Sequence, residues 1–109
     1  MFDSADRMAG DRAGIFEYDG NTGYFYLYDL KGKEAQKVIS AIRVLVGTPD
    51  FDQNDVVVRW DSTENMVGLF IRGRLWAVFD LRTGTKHGGN YHLGAQPEIP
   101  SGLADTFMK

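Results

Sequence analysis

The chain has no cysteine, so disulfide staples, thiolate metal sites and cysteine nucleophiles are excluded, and a reducing compartment, the cytoplasm, is the expected location. Serines are few. None of Ser4, Ser40, Ser62 and Ser101 stands in a nucleophile-elbow pattern, and no glycine-rich loop carrying a lysine precedes a helix. The twelve Lys and Arg are scattered, and the net charge is only −3, which argues against a partner recognised by phosphate neutralisation. No apolar run approaches a bilayer's thickness, and the N-terminus lacks the basic start and apolar stretch of a signal peptide. Neither nucleic acid nor a membrane is therefore an expected partner, and no cofactor is implied.

What is present is a strand-rich pattern in a chain of 109 residues, enough for one domain with a real core. The densest apolar stretch runs from Asp55 to Leu81. It reads as a meander of three antiparallel strands, Asp55 to Trp60, Met66 to Ile71 and Arg74 to Asp80. A two-residue turn at Arg72-Gly73 sets Ile71 opposite Arg74, Leu69 opposite Trp76 and Met66 opposite Phe79; a longer turn with a bulge would move this register. The connection Asp61 to Asn65 sets Trp60 opposite Met66. Alternation then places Val56, Val58, Trp60, Met66, Phe70, Leu75, Ala77 and Phe79 on a core face. Val57, Arg59, Val67, Leu69, Ile71, Arg74, Trp76, Val78 and Asp80 form a second, mixed face that is either covered or a contact surface.

A second hairpin spans Ile15 to Leu30, with turn formers concentrated in Asp19 to Gly23. On its return strand Tyr24, Tyr26 and Tyr28 share one face. A tyrosine ladder can stack bases or sugars, but it equally suits a half-exposed sheet, and no basic residue interleaves with it. The NTGYFYLYD hairpin (Thr22, Gly23, Tyr24, Phe25, Tyr26) and the later glycine-turn hairpin ending in AVFD (Gly73, Ala77, Val78, Phe79, Asp80) resemble an uncharacterised family of small bacterial proteins, a domain of unknown function. The resemblance implies a single bacterial domain and brings no activity, cofactor or catalytic residue.

The remaining segments are less regular. Met1 to Gly14 reads as a loose arm, leaving 15–109 as the domain. Lys33 to Gly47 carries both helical and strand spacing: a short helix over Glu34 to Ile39 and a strand from Ala41 to Val46 is one reading, a full helix the other. Asp50, Asp52 and Asn54 alternate like the start of a calcium loop, yet the turn glycine is replaced by Asp55 and Asp61 stands where Glu is needed, so a solvated acidic connection is expected. Gly88 and Gly89 make a turn or mobile loop, Asn90 to Leu93 a short edge strand, and Leu103 and Phe107 dock a terminal turn.

The expected fold is thus mainly β, on the border of α+β: an antiparallel sheet of about five to seven strands built on the 15–30 hairpin and the 55–81 meander, with one short helix in 33–46. No activity can be read from it. A protein-interaction module, inhibitor- or immunity-like or self-associating, is the leading expectation, with Trp76, Arg74, Arg59 and Leu69 as contact residues because Trp and Arg dominate interfaces. The alternative is a small-ligand or metal-binding protein, or an enzyme, using His87 and His92.

Overall fold

The computed structural model describes residues 1–31 and 37–108. Eight strands form two four-stranded antiparallel sheets. The first holds β1 (Phe2–Asp6), β2 (Arg12–Tyr18), β3 (Thr22–Asp29) and β4 (Lys37–Val46) in chain order. The second holds β5 (Val56–Trp60), β6 (Met66–Ile71), β7 (Arg74–Asp80) and β8 (Thr85–Gly88), again in order. Among the described residues the helical structure is two short 3-10 turns, Gln53–Asp55 and Ala104–Met108. The mainly β expectation holds, while the count of five to seven strands is exceeded and the helix is not matched.

Two segments of the first sheet differ from expectation. Residues Phe2–Asp6 are an edge strand, although the sequence there has no β-branched residue. Side chains fasten it to β5 and to the 3-10 turn before it: Asp3 accepts from the Val58 N–H at 2.7 Å, Gln53 bonds both backbone groups of Phe2, and Trp60 Nε1 donates to the Ala5 carbonyl at 2.9 Å. Lys37 to Ile39 belong to β4, so the helix expected over Glu34 to Ile39 is replaced there by strand, its remainder lying outside the described residues. In β4, Ile42 and Val44 bury themselves between the sheets, where branched side chains pack well on a pleated surface.

Packed face to face, the sheets enclose Phe16, Phe25, Leu27, Ile42 and Val44 from one side and Val56, Val58, Val67, Leu69, Ile71, Ala77 and Phe79 from the other. The Arg72-Gly73 turn forms as expected, with φ of 52° and 78°. Two register changes then redistribute the faces. Asp61 donates its N–H to the Met66 carbonyl, so Trp60 pairs with Val67 rather than Met66. A bulge at Trp76 sets Leu69 opposite Ala77 and Val67 opposite Phe79. A one-residue slip sends side chains to the other face. Leu69, Ile71 and Trp76 therefore join Val56 and Val58 in the inter-sheet core, and Met66, Phe70 and Leu75 move to the opposite side.

That opposite side is also covered. Phe107, Ile99 and Leu103 pack over Met66, Phe70, Leu75 and Val78, with the Phe107 ring edge-on to Phe70 at 5.3 Å. Gly68 leaves the space: a Cβ there would lie 3.0 Å from Phe107 and 2.6 Å from Leu75. The terminal turn docks as the four-residue spacing of Leu103 and Phe107 implies.

After β8 the chain crosses from the second sheet to the first. The Gly89 N–H donates to the Trp76 carbonyl at 2.8 Å, then Asn90 and Tyr91 donate to the carbonyls of Arg43 and Val44 at 3.3 and 2.6 Å. Gly88 and Gly89 are thus an ordered crossing, not a free loop, and Asn90 to Leu93 bonds β4 without forming a regular strand. Below the crossing, β4 and β8 diverge and leave a seam between the sheets.

Candidate interaction surface

Pairing fixes what the first sheet shows to its outside. Tyr24 lies between Glu17 and Arg43, Tyr26 between Ile15 and Ala41, and Tyr28 between Ala13 and Val38. On β1 the same face carries Phe2, opposite Glu17, and Ser4, opposite Ile15. Since Phe16, Phe25 and Leu27 point inward, the three tyrosines point out, as their alternation predicts. Tyr24 and Tyr26 stack with centroids 5.7 Å apart, and Tyr26 meets Tyr28 edge-on at 5.8 Å. Partial burial in this row, with the Glu17 carboxylate next in effect, raises the Tyr26 phenol above its ordinary pKa. Among the described residues no element packs over this face. Phe2 stays 54% exposed and Val38 43% exposed.

The residues expected at a contact surface lie elsewhere. Leu69 is fully buried and Trp76 is 4% exposed, both within the core, because the slip before β6 and the bulge at Trp76 turn them inward. Arg59 lies over the Phe70 ring at 4.7 Å and donates to the Phe107 carbonyl at 3.0 Å, tying down the C-terminal cover. Arg74 is exposed and donates to Gln96 at 3.2 Å.

The histidines are separated by the crossing. His92 opens on a depression with Arg74, Trp76 and Tyr91, while His87 opens on another with Tyr24, Arg43 and Lys86. The structure thus unites Arg74, the edge of Trp76 and His92, but not the two imidazoles. Among the described residues no cluster of three or more imidazole or carboxylate groups is disposed to hold a metal ion. The acidic connection is occupied internally: Asp52 caps the 3-10 turn in a reciprocal box with Asp55, and Asp50 accepts from Tyr91 and Arg72.

The Tyr91 and Asp50 contact has a pH signature. Burial first, and then the hydrogen bond to Asp50, push the Tyr91 phenol up to about 12, while the Tyr91 hydroxyl, followed by Arg72, holds the Asp50 carboxyl below its ordinary pKa. A raised tyrosine pKa means stability fully present below the unfolded value of about 10 and lost as pH rises through about 12. For Asp50 the sign is reversed: its contribution is present above the unfolded carboxylate pKa and is lost as pH falls through the depressed value. Ultraviolet titration of the folded protein is expected to show a tyrosine ionising near 12, and Tyr91→Phe to remove that step.

A family model described as an uncharacterized protein conserved in bacteria (DUF2251) matches residues 2–97, nearly the whole chain. The chain belongs to this family. No curated protein matches the chain, and no solved structure does. Its membership establishes a small bacterial β-sheet protein and carries no assigned function, in keeping with the resemblance seen in the two hairpins. The family match begins at Phe2, so it takes in β1, the strand that brings Phe2 and Ser4 to the tyrosine face. No helix among the described residues is long and apolar enough to cross a membrane.

Within this family member the tyrosine ladder was legible as a sheet face, but Glu17 and Arg43 were not legible as its flanks. Their juxtaposition requires knowing that β2 and β4 both border β3. The signal available was the strand reading of Ala41 to Val46, which placed Arg43 on a strand without a neighbour.

Proposed function

We propose that this protein is a cytoplasmic protein-interaction module whose contact surface is the outer face of the first sheet, and whose partner there is a second copy of the chain. The row Glu17, Tyr24, Arg43 supports this reading. A two-fold axis lying along β3 exchanges the β2 and β4 sides, so Glu17 of each copy meets Arg43 of the other while tyrosine faces tyrosine. Such a contact is self-complementary in shape class and charge, and aligned sheet-on-sheet packing is an established arrangement for twisted sheets. An exposed apolar and aromatic patch rimmed by charge is the signature of an interaction site. Tyr and Arg are also the side chains interfaces favour.

Sedimentation velocity tests it. The wild-type chain is expected to sediment as a dimer, and Tyr26→Asp to weaken association by about a hundredfold, near 2.7 kcal/mol, because a carboxylate must then be desolvated at the centre. Tyr26 faces outward, so the monomer's thermal midpoint should hardly change. A monomeric wild-type chain at high protein concentration would remove this reading.

A further inference from the structure

Where β4 and β8 part, below the crossing at Gly88 and Gly89, a wedge-shaped cavity of about 510 Å³ opens between the sheets. Its floor is made of core side chains, Leu27 and Phe79, with Leu81 beside them. Ile39 hangs at its mouth, 48% exposed, an apolar side chain with no covering element among the described residues. This volume falls within the range of small-molecule sites, and its apolar floor lies beneath a rim rich in polar and charged side chains, with Arg7, Arg12, Asp80 and Lys86 among them.

The polar rim is nearly neutralised from within. Arg7 pairs with Asp11 at 2.6 Å, Arg12 with Asp29 at 3.3 Å, and Asp80 with Arg82 at 3.2 Å. The Arg82 hydrogen bonds, outweighing burial, hold the Asp80 carboxyl low, so that pair stays ionised. Lys86 is the exception. Among the described residues its ammonium has no carboxylate partner and donates only to the Ala41 carbonyl, 2.8 Å away across the seam. A Lys ammonium carries three donors, so at least two remain for another acceptor.

We propose that this wedge binds a small amphipathic anion, with its apolar body on Leu27, Ile39 and Phe79 and its single anionic head on Lys86. Lys86 is the cross-strand partner of Phe79, so the apolar floor and a cation with no carboxylate partner among the described residues share one opening, which selects a ligand that joins an apolar body to an anionic head. A neutral molecule would leave Lys86 unused, and a cation would face it directly. The wedge lies between the sheets and the tyrosine face on the outside of the first; Lys86 borders both, since it also lines the depression beside Tyr24 and Arg43.

Amide spectra of the full-length protein, titrated with sodium octanoate, octyl phosphate, octylamine and 1-octanol, test the proposal. Octanoate or octyl phosphate should give saturable shifts at Ile39, Ser40, Thr85 and Lys86; tighter octyl phosphate assigns a phosphate head and tighter octanoate a carboxylate. Lys86→Met keeps the apolar stem, and is expected to weaken the anion at least tenfold while leaving octanol within about twofold. Ser40→Phe, which fills the wedge, should abolish both, its fold being checked by the rest of the spectrum. Absence of saturable shifts at these amides, octylamine binding as tightly as octanoate, or an unchanged affinity in Ser40→Phe would overturn it.

Discussion

Gly88→Ala is expected to destabilise the protein by about 2–5 kcal/mol, a large part of the 5–15 kcal/mol typical of a domain. Two costs combine. At φ +95° an L side chain is strained by roughly 1–2 kcal/mol, and the new Cβ would lie 2.1 Å from the Trp76 carbonyl oxygen and 2.8 Å from Ile99. The neighbouring atom is backbone, held in the bulge that brings Trp76 into the core, so the strand itself must shift, with overpacking costs of about 1–3 kcal/mol. Gly10→Ala isolates the first cost, since Gly10 also has positive φ (+72°) but nothing within 4 Å of a Cβ. Urea unfolding should place Gly10→Ala near wild type, by about 1 kcal/mol, and Gly88→Ala far below it. Equal losses in the two would mean that the crossing is not the tight passage described.

Phe25→Ala carries the other large effect. Phe25 is fully buried at the centre of the inter-sheet core, its ring 5.0 Å from that of Phe79. Truncation leaves a cavity between two sheets that the β1 to β5 bonds on one side and the glycine crossing on the other keep from collapsing, so a loss of about 3–5 kcal/mol is expected. For a domain of this length that lowers the thermal midpoint by more than about 12 °C. Tyr26→Ala, one residue on and facing outward, should cost under about 1 kcal/mol measured on the monomer. If the two losses were alike, the assignment of faces on β3 would be wrong.

That assignment was readable because the hairpin states it twice, in the alternation of Phe25 and Leu27 against the tyrosines and in turn chemistry that Asp19 completes by accepting from the Asn21 and Thr22 N–H groups. The Arg72-Gly73 turn was readable for the same reason. The faces of the meander were not. Its register depends on the loop at Asp61, whose carboxylate is buried and accepts from Thr63 Oγ1, Asn65 N–H and Met66 N–H, a closure no apolar pattern announces. It depends also on the Trp76 bulge, because β6 and β7 are apolar on both faces and either register buries them. Trp76 falls on the face expected to be either covered or a contact surface only in a register without that bulge.

Strands β1 and β8 were missed for a shared reason. FDSAD and TKHG lack the branched and aromatic runs that mark a strand, and both are edges held by neighbours, β1 through Asp3, Gln53 and Trp60 and β8 by its pairing with β7. Without them the second sheet lacks an edge and the seam beside Lys86 does not exist. The candidate surface was half legible: the tyrosines by alternation, Glu17 and Arg43 only once three strands are seen side by side.

Charge reversal at that surface tests the central claim most directly, by sedimentation velocity at low salt, where exposed ion pairs are least screened. Glu17→Arg sets arginine against Arg43 of the second copy, and Arg43→Glu sets glutamate against Glu17, so each change alone should drive the chain to monomer. The double variant restores both pairs and should sediment as a dimer again. A double variant that stays monomeric, or single variants that sediment like the wild type, would contradict self-association through the outer face of the first sheet.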